Sequence, residues 1–194
     1  MVLDGKQRRG GTKTAVITVC GCVVVVLVLC VLGVLRVREM AHQVRCHSHL
    51  KMLGAAIGAY VDDHENKLPN ATRWCDLVKP YAGNTDKVFV CPSDRTPSVR
   101  CSFVFNRNLK SNSWFGATMA VVLFESAGAS WNASGGPEMF GKNSPHRDGC
   151  NVLFSNGHVQ WIRRSEMKNF KWVPSPAKQQ PEQNRNTVQQ SEGE

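Results

Sequence analysis

Thr14 to Leu35 is a run of 22 residues without one charged side chain, dominated by Val and Leu. As an α-helix it covers roughly 30 Å, the thickness of a bilayer's hydrocarbon layer. Core helices of soluble domains rarely run this far without a charge. The apolar part of a cleaved signal peptide is shorter, about 7–15 residues, and ends at a small-residue cleavage site. The run therefore predicts an uncleaved transmembrane helix at 14–35, with residues 1–13 as a short basic cytoplasmic stub.

The charge pattern agrees with a membrane partner. Formal net charge is +9. Residues 1–38 hold six Lys/Arg against one Asp, which places over half the excess beside the span, where it meets anionic headgroups. The remainder has no basic stripe interleaved with aromatics, so nucleic acid is not an expected partner. Lys6, Arg8, Arg9 and Lys13 precede the span, and Arg36, Arg38 and Arg45 follow it. The positive-inside rule thus favours a cytoplasmic N-terminus by a narrow margin, with the C-terminal domain exported.

Helical periodicity continues past the membrane. Leu50, Leu53, Ile57 and Tyr60/Val61 recur at three- and four-residue spacing, beside a strip of small residues, Gly54, Ala55, Gly58 and Ala59. The strip predicts close approach of a stalk or spine helix, 36–62, to a sheet. Residues 63–173 predict one small domain. Thr72 reads as an N-cap for a helix at Arg73–Val78, and a further short helix starts at Ser165. Strand candidates are Lys87–Cys91, Arg100–Phe105 and Met119–Glu125, the last the best central strand. Asn106–Gly116 and Ala127–Gly149 read as loops. Residues 174–194 are Gln, Pro, Asn and Glu with little to bury, and read as a disordered tail.

Asn156-Gly157 is a strong hairpin signal between apolar runs. A two-residue type I′ turn there pairs Phe154 with Val159 and Val152 with Trp161. Of the eight cysteines, Cys20, Cys22 and Cys30 lie in the span. The other five, with no C-x-x-C pair, suit an oxidising compartment with one or two disulfides, and the spacings give no zinc pattern. Cys46 on the spine and Cys91 at a strand end are the first pairing to expect.

His146, nine residues, then Asn156-Gly157 resembles the H-x9-D-G signature of a bacterial family of pilin-like membrane proteins with a prepilin-type N-terminus, related to type II secretion pseudopilins. Asn156 stands where that family has Asp. Cys46–Asp63 followed by Leu68-Pro69, then Phe89–Asp94, Cys101–Asn106, Val122–Ser126 and Trp172–Pro174 resemble its other landmarks in order. The resemblance implies an α+β fold, a long N-terminal transmembrane and stalk helix packed on a small antiparallel β-sheet. One departure matters. The family's Gly–Phe peptidase site with Glu five residues into the mature helix is here Gly11-Thr12 with Val16.

Chemistry is sparse. His42, Cys46 and His49 share a helix face but lack a fourth ligand. Glu125, Asp148 and Asn156 are oxygen donors near the long loop, without the D-x-D-x-D-G spacing of a calcium loop. No dinucleotide, P-loop or nucleophile-elbow pattern occurs. His146, Asn156 and Gly157 are expected to be structural, with His146 bracing its loop. No cofactor and no enzyme activity are expected. The expected function is a membrane-anchored, pilin-like envelope or assembly protein, not cleaved by prepilin peptidase, whose partners are the bilayer and other pilin-like or secretion components. The alternative is a glycan- or metal-binding ectodomain, with Trp131 and Phe140 as stacking residues in the long loop.

Overall fold

The computed structural model describes residues 9–109, 119–141, 143–146 and 148–172. Residues 1–8 of the stub, most of the Asn106–Gly116 loop and the whole 174–194 tail lie outside these. One helix, α1 (Arg9–Asp63), runs through both the apolar run and the spine. At 1.5 Å per residue its 55 residues reach roughly 80 Å. Its N-terminal half is long and apolar enough to cross a membrane, with a window of mean hydropathy 3.1 and none of that window buried. From Cys46 onward the same helix buries one stripe, Cys46, Leu50, Leu53, Ile57 and Val61. Glu65 and Asn66, at φ +54° and +59°, end the helix by turning the chain through the left-handed region.

The small-residue strip is narrower than its spacing suggests. Gly54 is buried, and a Cβ there would stand 2.9 Å from Leu153 Cδ1. Ala55 and Ala59 face solvent. A single glycine therefore sets the closest approach of helix to sheet.

The sheet has five strands among the described residues, β1 (Phe103–Asn106), β2 (Val121–Glu125), β3 (Ser134–Gly135), β4 (Gly149–Phe154) and β5 (Val159–Arg163). Their order is β3-β1-β2-β4-β5. β1–β2, β2–β4 and β4–β5 are antiparallel, but β3 joins β1 in parallel, so the sheet is mixed rather than antiparallel. The fold class is α+β. β2 lies at the centre and is buried throughout.

Both faces of the sheet are covered. Leu123, Leu153, Val159, Phe103 and Phe105 pack towards α1, with α2 (Trp74–Val78) closing that core through Trp74 and Val78. Val104, Phe124, Val152, Phe154 and Ile162 form a second core under Phe140, Phe170 and Trp172. Burial on both sides explains why β1, β2 and β4 are mostly apolar along their length.

Several local expectations change. Lys87–Phe89 is a turn of 3-10 helix, closed by Val90 N–H donating to Lys87 O at 3.3 Å, instead of a strand. α2 starts one residue later than expected, and Thr72 donates its hydroxyl to Asn70 Oδ1 instead of capping it. The segment from Ser165 belongs to a 3-10 turn at Arg164–Asn169. Within the long loop, β3 and a 3-10 turn at Pro137–Met139 give local order.

The β4–β5 hairpin is shifted by one residue. Leu153 pairs with Val159 and Asn151 with Trp161. Phe154 N–H donates to His158 O at 2.9 Å, and Gly157 N–H donates to Phe154 O at 2.9 Å. The loop is therefore three residues, Ser155, Asn156 and Gly157, with only Gly157 at positive φ (+77°). That is a type I turn closed by a left-handed glycine, not a type I′ turn.

Candidate functional site

The densest polar chemistry lies where α1 meets the sheet. Cys46 on α1 is disulfide-bonded to Cys91, with Cα atoms 5.0 Å apart and 45 residues between them in sequence. Cys91 N–H donates to Ser102 Oγ at 3.0 Å, which fixes the far end of the link to the start of β1.

His146 joins this point from the other side of the domain. A tight turn before β4 aims its ring inward. Gly149 N–H donates to His146 O at 3.1 Å, while Ser144 Oγ accepts from His146 N–H at 3.2 Å and donates to Gly149 O. The residue is 5% exposed. Its Nε2 lies 3.5 Å from Cys91 Sγ and 3.4 Å from Glu125 Oε1. Its Nδ1 lies 3.4 Å from Glu39 Oε1 and forms no hydrogen bond among the described residues.

The two carboxylates differ in setting. Glu125 ends β2 and is fully buried. Asn151 holds it doubly, donating from its backbone N–H to Oε2 at 2.6 Å and from Nδ2 to Oε1 at 3.1 Å. Glu39 is on α1, just beyond the apolar run, with its side chain 44% exposed and accepting from Ser93 Oγ at 3.0 Å. Burial alone would lower the His146 pKa, but the nearby Glu125 and Glu39 carboxylates outweigh it, and the net shift is upward. Burial, the largest single influence, would raise the Glu39 pKa, but Ser93, His146 and His42 together bring it below its ordinary value.

The remaining sequence candidates disperse. Asn156 is exposed at the hairpin turn, where its Oδ1 accepts from His158 N–H at 3.0 Å. β4 separates it from His146, roughly 20 Å for six extended residues. The two ends of the H-x9-N-G motif therefore serve different places: Asn156 and Gly157 shape a turn, while His146 holds its own loop through its backbone and places its ring between α1 and the end of β2. Asp148 is exposed and uses its carbonyl to accept from Arg164 N–H, so Glu125, Asp148 and Asn156 do not converge. Trp131 donates Nε1–H to Asp76 at 2.7 Å, with the Arg100 guanidinium 4.6 Å from its ring and Phe89 beside it. Phe140 is 5% exposed and packs on Phe124 and Trp172. His49 is not part of the donor cluster around Cys46 found among the described residues. Its Nδ1 pairs with Val90 O at 2.9 Å.

Glu39 is the residue that sequence reading passed over. It stands seven residues before Cys46, two helical turns back on one face, and that spacing was the available signal. Compared with family models, curated proteins and solved structures, the chain matches none.

Proposed function

We propose that this chain is a membrane-anchored, pilin-like envelope or assembly protein related to type II secretion pseudopilins, non-enzymatic, and held permanently by its N-terminal helix. The observation that carries the reading is α1. One unbroken helix is bare and apolar along its first half, then becomes the spine beneath a five-stranded sheet. The Cys46–Cys91 disulfide supports an exported domain with a cytoplasmic N-terminus. Gly11-Thr12 and Val16 replace the peptidase site and the carboxylate used in filament packing, which supports a permanent anchor over a processed filament subunit.

The expected outcome is a protein that stays with membranes through an alkaline carbonate wash and has lost at most its initiator Met. Intact-mass measurement checks this. A mature start at Thr12 would restore the filament reading, and release by carbonate would remove the anchor. The glycan-binding alternative has weaker support, because Arg100 and Phe89 flank the Trp131 ring and Phe140 is core. Reproducible glycan-array binding lost in Trp131→Ala would favour it.

A further inference from the structure

Four donor groups meet at the junction of α1 and the sheet. Cys46, Cys91, Glu125 and His146 are all buried, and one ligand atom from each lies within 4.8 Å of the other three. They come from four separate places in the chain: the anchor helix, the segment after the Lys87–Phe89 turn, the end of β2 and the turn before β4. We propose that this cluster is a redox-gated zinc site, closed by the Cys46–Cys91 disulfide in the oxidised protein and opened to one zinc ion when that disulfide is reduced. The inference rests on the fold alone and does not depend on the pilin-like reading.

The geometry suits zinc. Tetrahedral zinc with bonds of about 2.0–2.3 Å to N, O and S spaces its ligands about 3.3–3.8 Å apart. His146 Nε2 already stands 3.5 Å from Cys91 Sγ and 3.4 Å from Glu125 Oε1. The two sulfurs, covalently bonded, are closer than a metal would hold them, and breaking their bond frees both to rotate apart. Two thiolates favour zinc over calcium or magnesium, which take oxygen ligands.

The supporting groups are also in position. A zinc-bound histidine uses one ring nitrogen for the metal and commonly donates the other N–H to a carboxylate. With Nε2 facing the sulfur and Glu125, the buried and otherwise unpartnered Nδ1 faces Glu39. Ser93 steadies Glu39, and Asn151 holds Glu125 by two hydrogen bonds. Two thiolates and one carboxylate against a divalent ion leave one net negative charge.

The chemistry balances with a dithiol reductant. Its two sulfurs are oxidised to a disulfide while the Cys46–Cys91 bond breaks, taking up two electrons and two protons to yield two thiols. Zinc binding then forms two Zn–S bonds and releases those two protons to solvent. Oxidation by a disulfide reagent reverses both steps and expels the metal.

The test uses the full chain in detergent micelles, prepared oxidised and, separately, reduced with a phosphine under argon. Each is given zinc chloride, desalted and analysed for metal per chain. About one zinc per reduced chain and none per oxidised chain is expected. Glu125→Gln and His146→Gln should each weaken zinc binding at least about ten-fold, and Glu39→Gln should weaken it less. Cys75 and Cys101 are two buried free thiols, 3.9 Å apart and not part of this cluster, so Cys75→Ser combined with Cys101→Ser should bind as the parent does. Cobalt added to the reduced parent should give the intense visible bands of tetrahedral thiolate coordination, a readout that needs no variant to fold. Reduced parent protein that takes up neither metal overturns the proposal. So does zinc uptake unchanged in Glu125→Gln and His146→Gln, or uptake lost with Cys75 and Cys101. None of these results bears on membrane retention or on the N-terminal mass, so the two proposals fail separately.

Discussion

At His146, burial and charge act in opposite directions, and charge wins. A histidine whose pKa is raised on folding adds stability below its unfolded value, about 6.5, and loses it as pH rises through the folded value. Glu39 is the mirror case. Its folded pKa is lowered, so its contribution is present above the ordinary carboxylate range and is lost as pH falls through the folded value. For the disulfide-bonded protein, both contributions are in force between about pH 5 and 6.5. His47, lowered on folding chiefly by burial, opposes them at the acid end of that window, but the His146 contribution should make the melting temperature fall on the alkaline side, where His146 gives up its proton between Glu39 and Glu125. Thermal melts from acid to mildly alkaline pH check this, with Glu125→Gln expected to flatten the alkaline fall. An unchanged slope in that variant would show that His146 is not its source. None of this was legible in the sequence. His146 was singled out by its motif, but its three partners are 107, 55 and 21 residues away, and nothing in local spacing links them.

The hairpin shows how an element can be recognised and still be misregistered. The turn signal was correct, and so was its position. The register slipped by one because a three-residue loop replaced a two-residue one. Where one face of a strand is polar, such a slip is corrected by side-chain sorting. β4 is buried on both faces, so Val152, Leu153 and Phe154 fit either register. The turn itself makes separable predictions. Gly157 has open space around its missing Cβ, so Gly157→Ala should cost only the left-handed backbone term, about 1–2 kcal/mol. Asn156→Asp keeps the oxygen that accepts from His158 N–H and should change stability by less than about 0.5 kcal/mol. Gly149 is different: a Cβ there would stand 2.3 Å from Ile162 O, a backbone atom of the paired strand. Gly149→Ala should therefore be the most damaging of the three, at about 3 kcal/mol or more. Urea titrations would rank them, and a Gly149→Ala as mild as Asn156→Asp would contradict the β4–β5 register described above. The helix, by contrast, was readable almost in full, since Leu50, Leu53, Ile57 and Val61 bury as their spacing demands. Ala55 and Ala59 were not distinguishable from Gly54 by size alone, and only the docked sheet separates them.

Across the whole molecule, the Cys46–Cys91 link closes a loop of 45 residues between the spine and the sheet side of the core. In the chain-entropy account that closure contributes about 4 kcal/mol. Cys46→Ser should lower unfolding free energy by that order in oxidising buffer, and reducing agent should bring the parent down to meet it. Equal stability of parent and variant without reductant would mean the bond is not formed. The sequence placed this pair correctly, although the strand expected to end at Cys91 is a 3-10 turn. It could not place Glu39 in the same junction, since an exposed acid after a membrane span looks like ordinary solvation. Glu39, Cys46 and the buried stripe follow one another on α1 with no break after the apolar run. The apolar run and the spine are thus one continuous helix. About 40 Å of helix extends beyond Leu35 to Asp63, so for a helix anchored as proposed a tilt of about 10° would carry its far end sideways by about 7 Å. Membranes of different thickness impose different tilts on such a helix. Anchored as proposed, the domain would act as the pointer of a gauge, turning a small change in lipid depth into a displacement parallel to the surface.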